Sequence, residues 1–523
     1  HMEYIIKYNG NLDSIRDKIE ILSAGYAIID IEPSQIKYLR ELKEIEYWEP
    51  TKKLFLSTKL GLNSTCISPV QNQTSYHLTG SRVIIGIIDS GIDSSHSEFM
   101  NTAETTRILS VWDMTTEGVP PNGFYKGTEY TFSDINADKF VCKDFIGHGT
   151  AVAGIAAGIS GAAPEASIIA VKLGSSETRT TDIMRGIKYI IDKAINYNMP
   201  CVINLSYGTN NGSHRGQSLF ETYIDDISRL WKTVIVCASG NEGYSGHHFK
   251  GNIKENNPLN LNFNVSSNKN NVYLSLWKNF SDIVNFELVN PSGMSTGIIT
   301  QLVRDISLNL HNVKISFSFG EPNHYSAAQE IYVNLEASSD LMDGIWTLIC
   351  YGEKIVDGNF DVWLPTIDEV SERTSFLEST PDMTMTLPAT AVTPISVGGY
   401  RPETDTVCTF SGRGGTIHEI GLPQLDLTAP AENIYTAKSG GGFDTYTGTS
   451  MAAPFVSGAA ALMMEWGIVK GNDPFLYGQR VKAFLCKNAV RNTYLTYPNT
   501  LWGYGKLSLC DTIDDLELYK RRI

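Results

Sequence analysis

No apolar run in this 523-residue chain comes near the roughly 20 residues that a bilayer crossing requires; Val83–Ile88 and Ala459–Met464 are among the longest. A membrane span is therefore not expected. Basic residues are in deficit, 42 Lys and Arg against 57 Asp and Glu, for a net charge of −15. That balance argues against a nucleic-acid backbone or an anionic lipid surface as a general partner. The eight cysteines (Cys66, Cys142, Cys201, Cys237, Cys350, Cys408, Cys486, Cys510) include no C-x-x-C pair, which removes the usual zinc and dithiol spacings. Free, largely buried thiols are the expectation. No stretch resembles an EF-hand loop, no solenoid-length repeat recurs and no tract is of low complexity, so neither a metal nor a cofactor is expected. His1-Met2 reads as a cloning remnant, and the EYIIKYNG after it lacks the basic and apolar regions of a secretory signal, so export by that route is not expected.

What is present is the balance of an ordinary globular protein, with 42% hydrophobic, 19% charged and 10% aromatic residues over a length that suits about three or four domains. Residues 3 to 50 read as strand EYIIKY, helix Asp13 to Leu22, strand YAIIDI, helix Ser34 to Leu42 and strand EIEYWEP. Ser34 is a candidate N-cap, and Ile36, Leu39 and Leu42 share a helical face. That pattern is a small ferredoxin-like unit. A polar linker from Ser57 to Thr79 follows. VIIGIID then has the uniform apolarity of a strand buried on both faces. Strands SIIAVKL, CVINLSYG and TVIVCAS alternate with helices over Gly149–Gly158, Asp182–Tyr197 and Leu219–Leu230, which is doubly wound α/β order.

From Gly246 to Arg373 the period changes to two: Leu259, Leu261, Phe263 and Val265, then Val272, Leu274 and Leu276, then Val313, Ile315, Phe317 and Phe319, and three further runs. Repeated alternation of this kind predicts an antiparallel, jelly-roll-like domain. Core-like signals resume after it, so it is an insertion. The expected boundaries are 1–58 for the N-terminal unit, 59–245 and 374–523 for the two parts of the α/β core, and 246–373 for the insertion.

Three motifs fall where a doubly wound sheet builds its active site, at strand carboxyl ends and helix amino ends. Asp89 closes a buried strand before a glycine turn; His148 opens a small-residue helix in GHGT; Ser450 opens another in GTSMAAP. A helix amino end disfavours a cation, so an imidazole there is uncharged and able to act as a base. A serine among small residues has a backbone N–H beside its hydroxyl and little bulk in the way of a carbonyl. Taken singly, each also suits a structural cap or turn. Together they supply an acid, a base and a nucleophile on one sheet, in the order Asp, His, Ser.

With ASGNEG and INLSYG, the motifs DSGID, GHGT and GTSMAAP resemble the subtilisin-like serine proteases. The resemblance implies that Ser450 attacks the scissile carbonyl, that His148 moves the proton and that Asp89 holds the imidazole. It also implies that Asn241 and the Ser450 N–H form an oxyanion hole. It places Ser206-Tyr207-Gly208 and Ala238-Ser239-Gly240 along the substrate and its first specificity pocket; Ser239 stands where many relatives have a small apolar residue. His96 is structural in such relatives. His247 and His248 suggest a solvated loop rather than a metal site, and Cys142 lies close in sequence to His148.

The N-terminal unit resembles the family's inhibitory propeptide, with self-cleavage expected among Leu54, Phe55, Leu56, Ser57, Thr58 and Lys59. The 209 residues from Asn241 to Ser450, lengthened by the insertion, make the architecture similar to the clostridial spore-germination (Csp-type) subtilases. That likeness implies limited proteolysis of a cortex-hydrolase zymogen within the spore, with the chain's own propeptide and a protein substrate as partners. Without it, a cytoplasmic site is the expectation. The rival readings are a non-catalytic sensor or scaffold, for which loss of triad residues is the expected sign, a latent enzyme, and a general degradative subtilase.

Overall fold

The computed structural model describes residues 2–51, 55–56, 64–72, 75–101, 105–137, 143–174, 178–266, 269–301, 305–321, 323–415 and 424–521. At the N-terminus β1 (Met2–Tyr8), β2 (Ile19–Ile21), β3 (Tyr26–Ile31) and β4 (Ile45–Pro50) form an antiparallel sheet in the order β2-β3-β1-β4. With 3-10 segments at Asp13–Lys18 and Pro33–Glu41, this is the ferredoxin-like arrangement. Two local expectations need correction. The helix expected over Asp13–Leu22 is a short 3-10 segment followed by β2, where Ile19 pairs with Ile29 and Glu20 reaches Arg185 of the core. The second segment begins at Pro33, capped by Glu32 with Gln35 rather than by Ser34, because a proline at the first helical position sets the start.

After β5 (Phe55–Leu56) the linker contains α1 (Ile67–Asn72), and Cys66 is joined to Cys510 in a disulfide. The expectation of eight free thiols is therefore wrong for this pair. The partners stand 444 residues apart in sequence, and only the packing of α1 on the C-terminal helix brings them together. Cys201, Cys237, Cys350, Cys408 and Cys486 are free and buried, while Cys142 lies outside the described residues.

The core sheet is built from β6 (Ile84–Asp89), β7 (Ile108–Asp113), β8 (Thr128–Thr131), β9 (Ser167–Lys172), β10 (Cys201–Leu205) and β12 (Thr233–Ala238), with β11 (Tyr207–Gly208) at its margin. Its helices are α2 (Phe132–Asn136), α3 (His148–Ala157), α4 (Thr180–Tyr197) and α5 (Leu219–Ile227). The insertion follows as two antiparallel sheets over one apolar core. One sheet comprises β13 (His248–Asn252), β15 (Asn271–Asn279), β17 (Asp305–Leu310), β18 (Val313–Phe319), β19 (Ala328–Ala337) and β21 (Asn359–Trp363). The other comprises β14 (Leu259–Val265), β16 (Ile283–Val289), β20 (Gly344–Lys354) and β22 (Ser375–Phe376). The alternating residues Leu261, Phe263 and Val265 are buried between the sheets, as a period of two requires.

The core then resumes with β23 (Ile395–Arg401), β24 (Thr406–Val407), β25 (Leu427–Pro430), α6 (Thr449–Met464), α7 (Gln479–Lys487) and α8 (Leu509–Lys520). The sheet order is β24-β23-β12-β10-β6-β9-β7-β8, with β25 beside β23 and every pairing parallel except those of β8 and β24. β6 lies at the centre, between β9 and β10, where the direction of winding reverses. Its carboxyl end is the switch point at which such sheets hold their ligands. The stretch Thr449–Val469 is long and apolar enough to cross a membrane, but most of it is buried against the sheet and α3.

The N-terminal unit packs on α4 and α5. Ile5, Tyr26 and Ile28 share an apolar core with Met184, Ile187 and Tyr223. Arg185, almost fully buried, binds Glu20 Oε2 at 2.7 Å and Asp182 Oδ1 at 3.2 Å, and also pairs with Glu3. Phe220 N donates to Glu49 Oε1 at 3.1 Å, and Tyr26 Oη donates to Asp226 Oδ2 at 2.9 Å. The insertion reaches the same unit through Asn323 Nδ2 to Tyr47 Oη at 3.4 Å and through the Tyr47–Tyr325 ring contact.

Candidate active site

Asp89 is the last residue of β6 and His148 the first of α3, so the two meet across the switch point. His148 Nδ1 lies 2.7 Å from Asp89 Oδ1, which also accepts the Ser90 N–H at 2.7 Å. Both side chains are fully buried. The close approach needs glycine at 149: a Cβ there would stand 2.1 Å from the Gly91 carbonyl oxygen. Gly147, at φ 82°, turns the chain into α3.

Local sequence reading missed the group that fixes this end of α3. Asp144 Oδ1 accepts from Gly147 N at 2.9 Å and Ser90 Oγ at 2.8 Å, and Oδ2 accepts from Thr150 N at 2.8 Å and Thr150 Oγ1 at 2.7 Å. One carboxylate thus ties the first turn of α3 to the end of β6 and satisfies N–H groups that a helix start leaves open. Its six-residue separation from Thr150 is not the three-residue spacing of a capping box, so no local signal marked it.

Ser450 is the second residue of α6, and α6 packs on α3 and on the central strands. Ser206 Oγ donates to the Ser450 carbonyl at 3.2 Å and accepts from Asn204 Nδ2 at 2.9 Å, anchoring the β10–β11 junction to the start of α6. Asn241 Oδ1 accepts the Thr449 N–H at 3.0 Å and the Thr449 hydroxyl at 3.1 Å. A backbone N–H can only donate, so the acceptor must be the amide oxygen. Asn241 Nδ2 is then the donor left for the cleft.

The cleft beside Ser450 is lined by Ser206, Tyr207, Gly208, Ala238, Gly240 and Asn241 among others. Ser239, expected along the pocket, is fully buried behind its neighbours and is not among the lining residues; its N is bonded to Val397 O and its O to Thr386 N. Thr386 and Asp368 line the cleft as well. No sequence signal marked either, since they lie beyond Asn241 with most of the insertion between. Along the cleft edge Phe55 and Leu56 pair antiparallel with Gly208 and Tyr207. Of the expected cleavage region, only the backbone of these two is described; Leu54, Ser57, Thr58 and Lys59 lie outside the described residues.

His96, His247 and His248 have structural partners. His96 Nδ1 accepts from Glu98 N and Nε2 donates to Gly442 O. His247 and His248 do not form the solvated loop expected. Both are 1% exposed, His247 bound to Glu242 Oε2 at 2.6 Å and His248 to Asp361 Oδ1 at 3.0 Å, with the His248 ring stacked on Trp363. They sit where the insertion joins the core, and its return strand buries them. Among the described residues no group of three or more His, Cys, Asp or Glu is placed to hold a metal.

Glu242 accepts His247 Nδ1, Asn210 Nδ2 and Ile367 N, joining the residue after Asn241 to the loop that carries Asp368. Burial alone would raise its carboxyl, but the His247 charge and these hydrogen bonds outweigh that and hold it below the usual 4.5. A lowered carboxyl contributes stability that is present above its unfolded value and is lost as pH falls through the folded one. Wild-type stability, followed by denaturant midpoints at pH 7 and pH 3.5, is expected to fall more steeply than that of Glu242→Gln. Equal slopes would remove the assignment.

The subtilase family profile matches residues 80–274 and 279–505, and the Csp protease B prodomain profile matches residues 1–52. The structure of the Clostridium perfringens CspB protease is 36% identical with a TM-score of 0.78, covering 88% of this chain and 97% of that one. Subtilisin E of Bacillus subtilis is 32% identical over 44% of this chain and 53% of its own. The PIII-type proteinase of Lactococcus lactis is 24% identical over 78% of this chain, which spans about a quarter of that proteinase's length (23%).

Proposed function

The chain belongs to the subtilase family, and from that premise we propose that it is a serine endopeptidase that cuts its own N-terminal unit from the core and then processes a protein substrate by limited proteolysis. One arrangement carries the reading: Ser450 and the amide of Asn241 line a cleft whose edge already holds the strand Phe55–Leu56, and the Asp89–His148 pair stands at the start of α3, which packs on the helix that Ser450 opens. In this reading Ser450 Oγ attacks the scissile carbonyl, and His148 Nε2 takes its proton and passes it to the leaving amine. Asp89 keeps the Nδ1–H tautomer and stabilises the imidazolium. The Ser450 N–H and Asn241 Nδ2 meet the developing oxyanion, which is where preorganised donors act most strongly. The Tyr207–Gly208 edge holds substrate in extended form by backbone pairing, as it holds Phe55–Leu56.

The finer reading is that the substrate is the zymogen of a spore-cortex hydrolase and that the cut is made within the spore during germination. Its support is the Csp-type prodomain match and the likeness to the CspB protease along most of both chains. A latent form of the same enzyme is favoured by one observation, the burial of Ser450 and His148, at 0% and 1% exposure, while the N-terminal unit is in place.

The test compares intact masses of the purified chain and its Ser450→Ala variant. The expected result is two co-purifying pieces cut within residues 54–60 for the native chain and one uncut chain for the variant. A folded native chain that stays whole would leave the proteolytic reading without support. Incubation with a cortex-hydrolase zymogen then checks the finer reading, which fails if the self-processed enzyme leaves that zymogen intact.

A further inference from the structure

The two walls of the cleft, Tyr207–Gly208 and Ala238–Gly240, are bridged from below by the segment Thr384–Leu387. Thr386 N donates to Ser239 O at 3.0 Å, and Leu387 exchanges backbone bonds with Thr209 at 3.0 and 3.1 Å. The side chain of Thr386 is thereby placed in the slot between the two glycines. A Cβ on Gly208 would come within 2.2 Å of Thr386 Oγ1, and one on Gly240 within 2.6 Å of the same atom. Both glycines are needed for this approach, and the threonine limits how deep a substrate side chain can go.

The chemistry of the slot is as informative as its depth. Thr386 is 3% exposed, and its hydroxyl has no hydrogen-bond partner among the described residues. A buried hydroxyl left unpaired is destabilising, so a ligand group that pairs with it gains accordingly. Asp368 is another polar group on the cleft wall that could select a side chain. It is exposed on the rim and held there by the Ile367 N–H bond to Glu242. Desolvation at the rim and the nearby Glu242 charge push its carboxyl up to about 7, so near neutral pH it is only partly charged and a weak anchor for a cation, whereas the floor hydroxyl is neutral and unpaired at any pH.

We propose that Thr386 is the specificity-determining residue of the first substrate pocket and selects a small, uncharged, hydrogen-bonding side chain, such as serine, threonine or asparagine, on the acyl side of the scissile bond. This rests on the endopeptidase reading above. Large aliphatic and aromatic side chains meet the Thr386 methyl and hydroxyl before they are fully inserted, and they leave the hydroxyl unpaired. The residues that follow the cleft-edge strand in sequence, Ser57 and Thr58, both carry such hydroxylated side chains. A site built to pair with a polar group discriminates against analogues that lack it more strongly than an apolar pocket discriminates by size.

The test is a panel of peptides differing only at that position (Ser, Asn, Ala, Leu, Phe and Lys), assayed as kcat/KM with the self-processed full chain, Thr386→Val, Thr386→Gly and the Ser450→Ala control. The native enzyme is expected to favour Ser and Asn over Leu and Phe by about tenfold or more. Thr386→Val, which keeps the bulk and removes the hydroxyl, should lose most of the Ser-over-Ala preference. Thr386→Gly should raise cleavage after Phe and Leu by about tenfold. A native preference for Leu or Phe overturns the assignment, as does one for Lys, which would move selection to Asp368. Should the variants not fold, the native panel decides alone. Cleavage of no peptide, with the native chain indistinguishable from Ser450→Ala, sinks the endopeptidase reading itself rather than the pocket.

Discussion

His148→Ala is expected to lower the turnover of a peptide amide about 10⁶-fold, and Asp89→Ala about 10⁴-fold, on the scale known for serine triads that act as one unit. In barrier terms these are about 8 and about 5.5 kcal/mol. The two effects differ because the residues do different things. Without His148 no base stands beside Ser450 to take its proton. Without Asp89 the base remains, but the 2.7 Å bond that fixes its tautomer is gone, and so is the charge that stabilises its protonated form. Combining either change with Ser450→Ala is expected to add almost nothing, since the first loss already disables the unit. Single-turnover and steady-state kinetics on matched protein, with folding checked by circular dichroism, measure this. Activity of His148→Ala within tenfold of native would mean that another group is the base and that the triad assignment is wrong.

Arg185→Ala is expected to weaken the hold of the N-terminal unit by about 3–5 kcal/mol, the usual cost of removing one partner from a buried ion cluster. The guanidinium is 6% exposed and lies among Glu3, Glu20 and Asp182. Glu3 and Glu20 come from the unit and Asp182 from α4, so the arginine is the charge that joins them. Burial already raises the Glu20 carboxyl despite the arginine, and without it Glu3 and Glu20 lose their guanidinium partner while Asp182 keeps Lys126. The expected outcome is that after self-cleavage the unit co-elutes with the core in the native protein and separates from it in Arg185→Ala. Peptidase activity should rise as the cleft is vacated. Arg185→Met combined with Glu3→Leu and Glu20→Leu should restore retention, because well-packed apolar groups of similar volume replace such a cluster at little cost. Full retention of the unit by Arg185→Ala would mean that the apolar contacts of Ile5, Tyr26 and Ile28 suffice on their own.

The fold class was legible in the sequence because its signals are local. VIIGIID reads as a strand covered on both faces from its uniform apolarity, and the period-two runs after Gly246 as an antiparallel sandwich or jelly roll. The order Asp89, His148, Ser450 was equally legible, since the turn and helix-start residues around each are contiguous in the chain. The segment Asp13–Leu22 read as a helix because an edge strand of three residues has too few positions to show its period. Its register is set by Ile29 and by the pull of Arg185 on Glu20.

Sequence alone determined the class of chemistry and the residues able to perform it. Tertiary structure decided what occupies the cleft edge, what forms its floor, which charge clamps the N-terminal unit and which cysteines pair. Cys66 and Cys510, Glu20 and Arg185, Gly208 and Thr386 are separated by between 165 and 444 residues or lie on opposite sides of an inserted domain. Contacts of that range carry no periodicity or spacing in the chain. They exist only once the buried faces of separate elements have been driven together, and the specificity of the site depends on them.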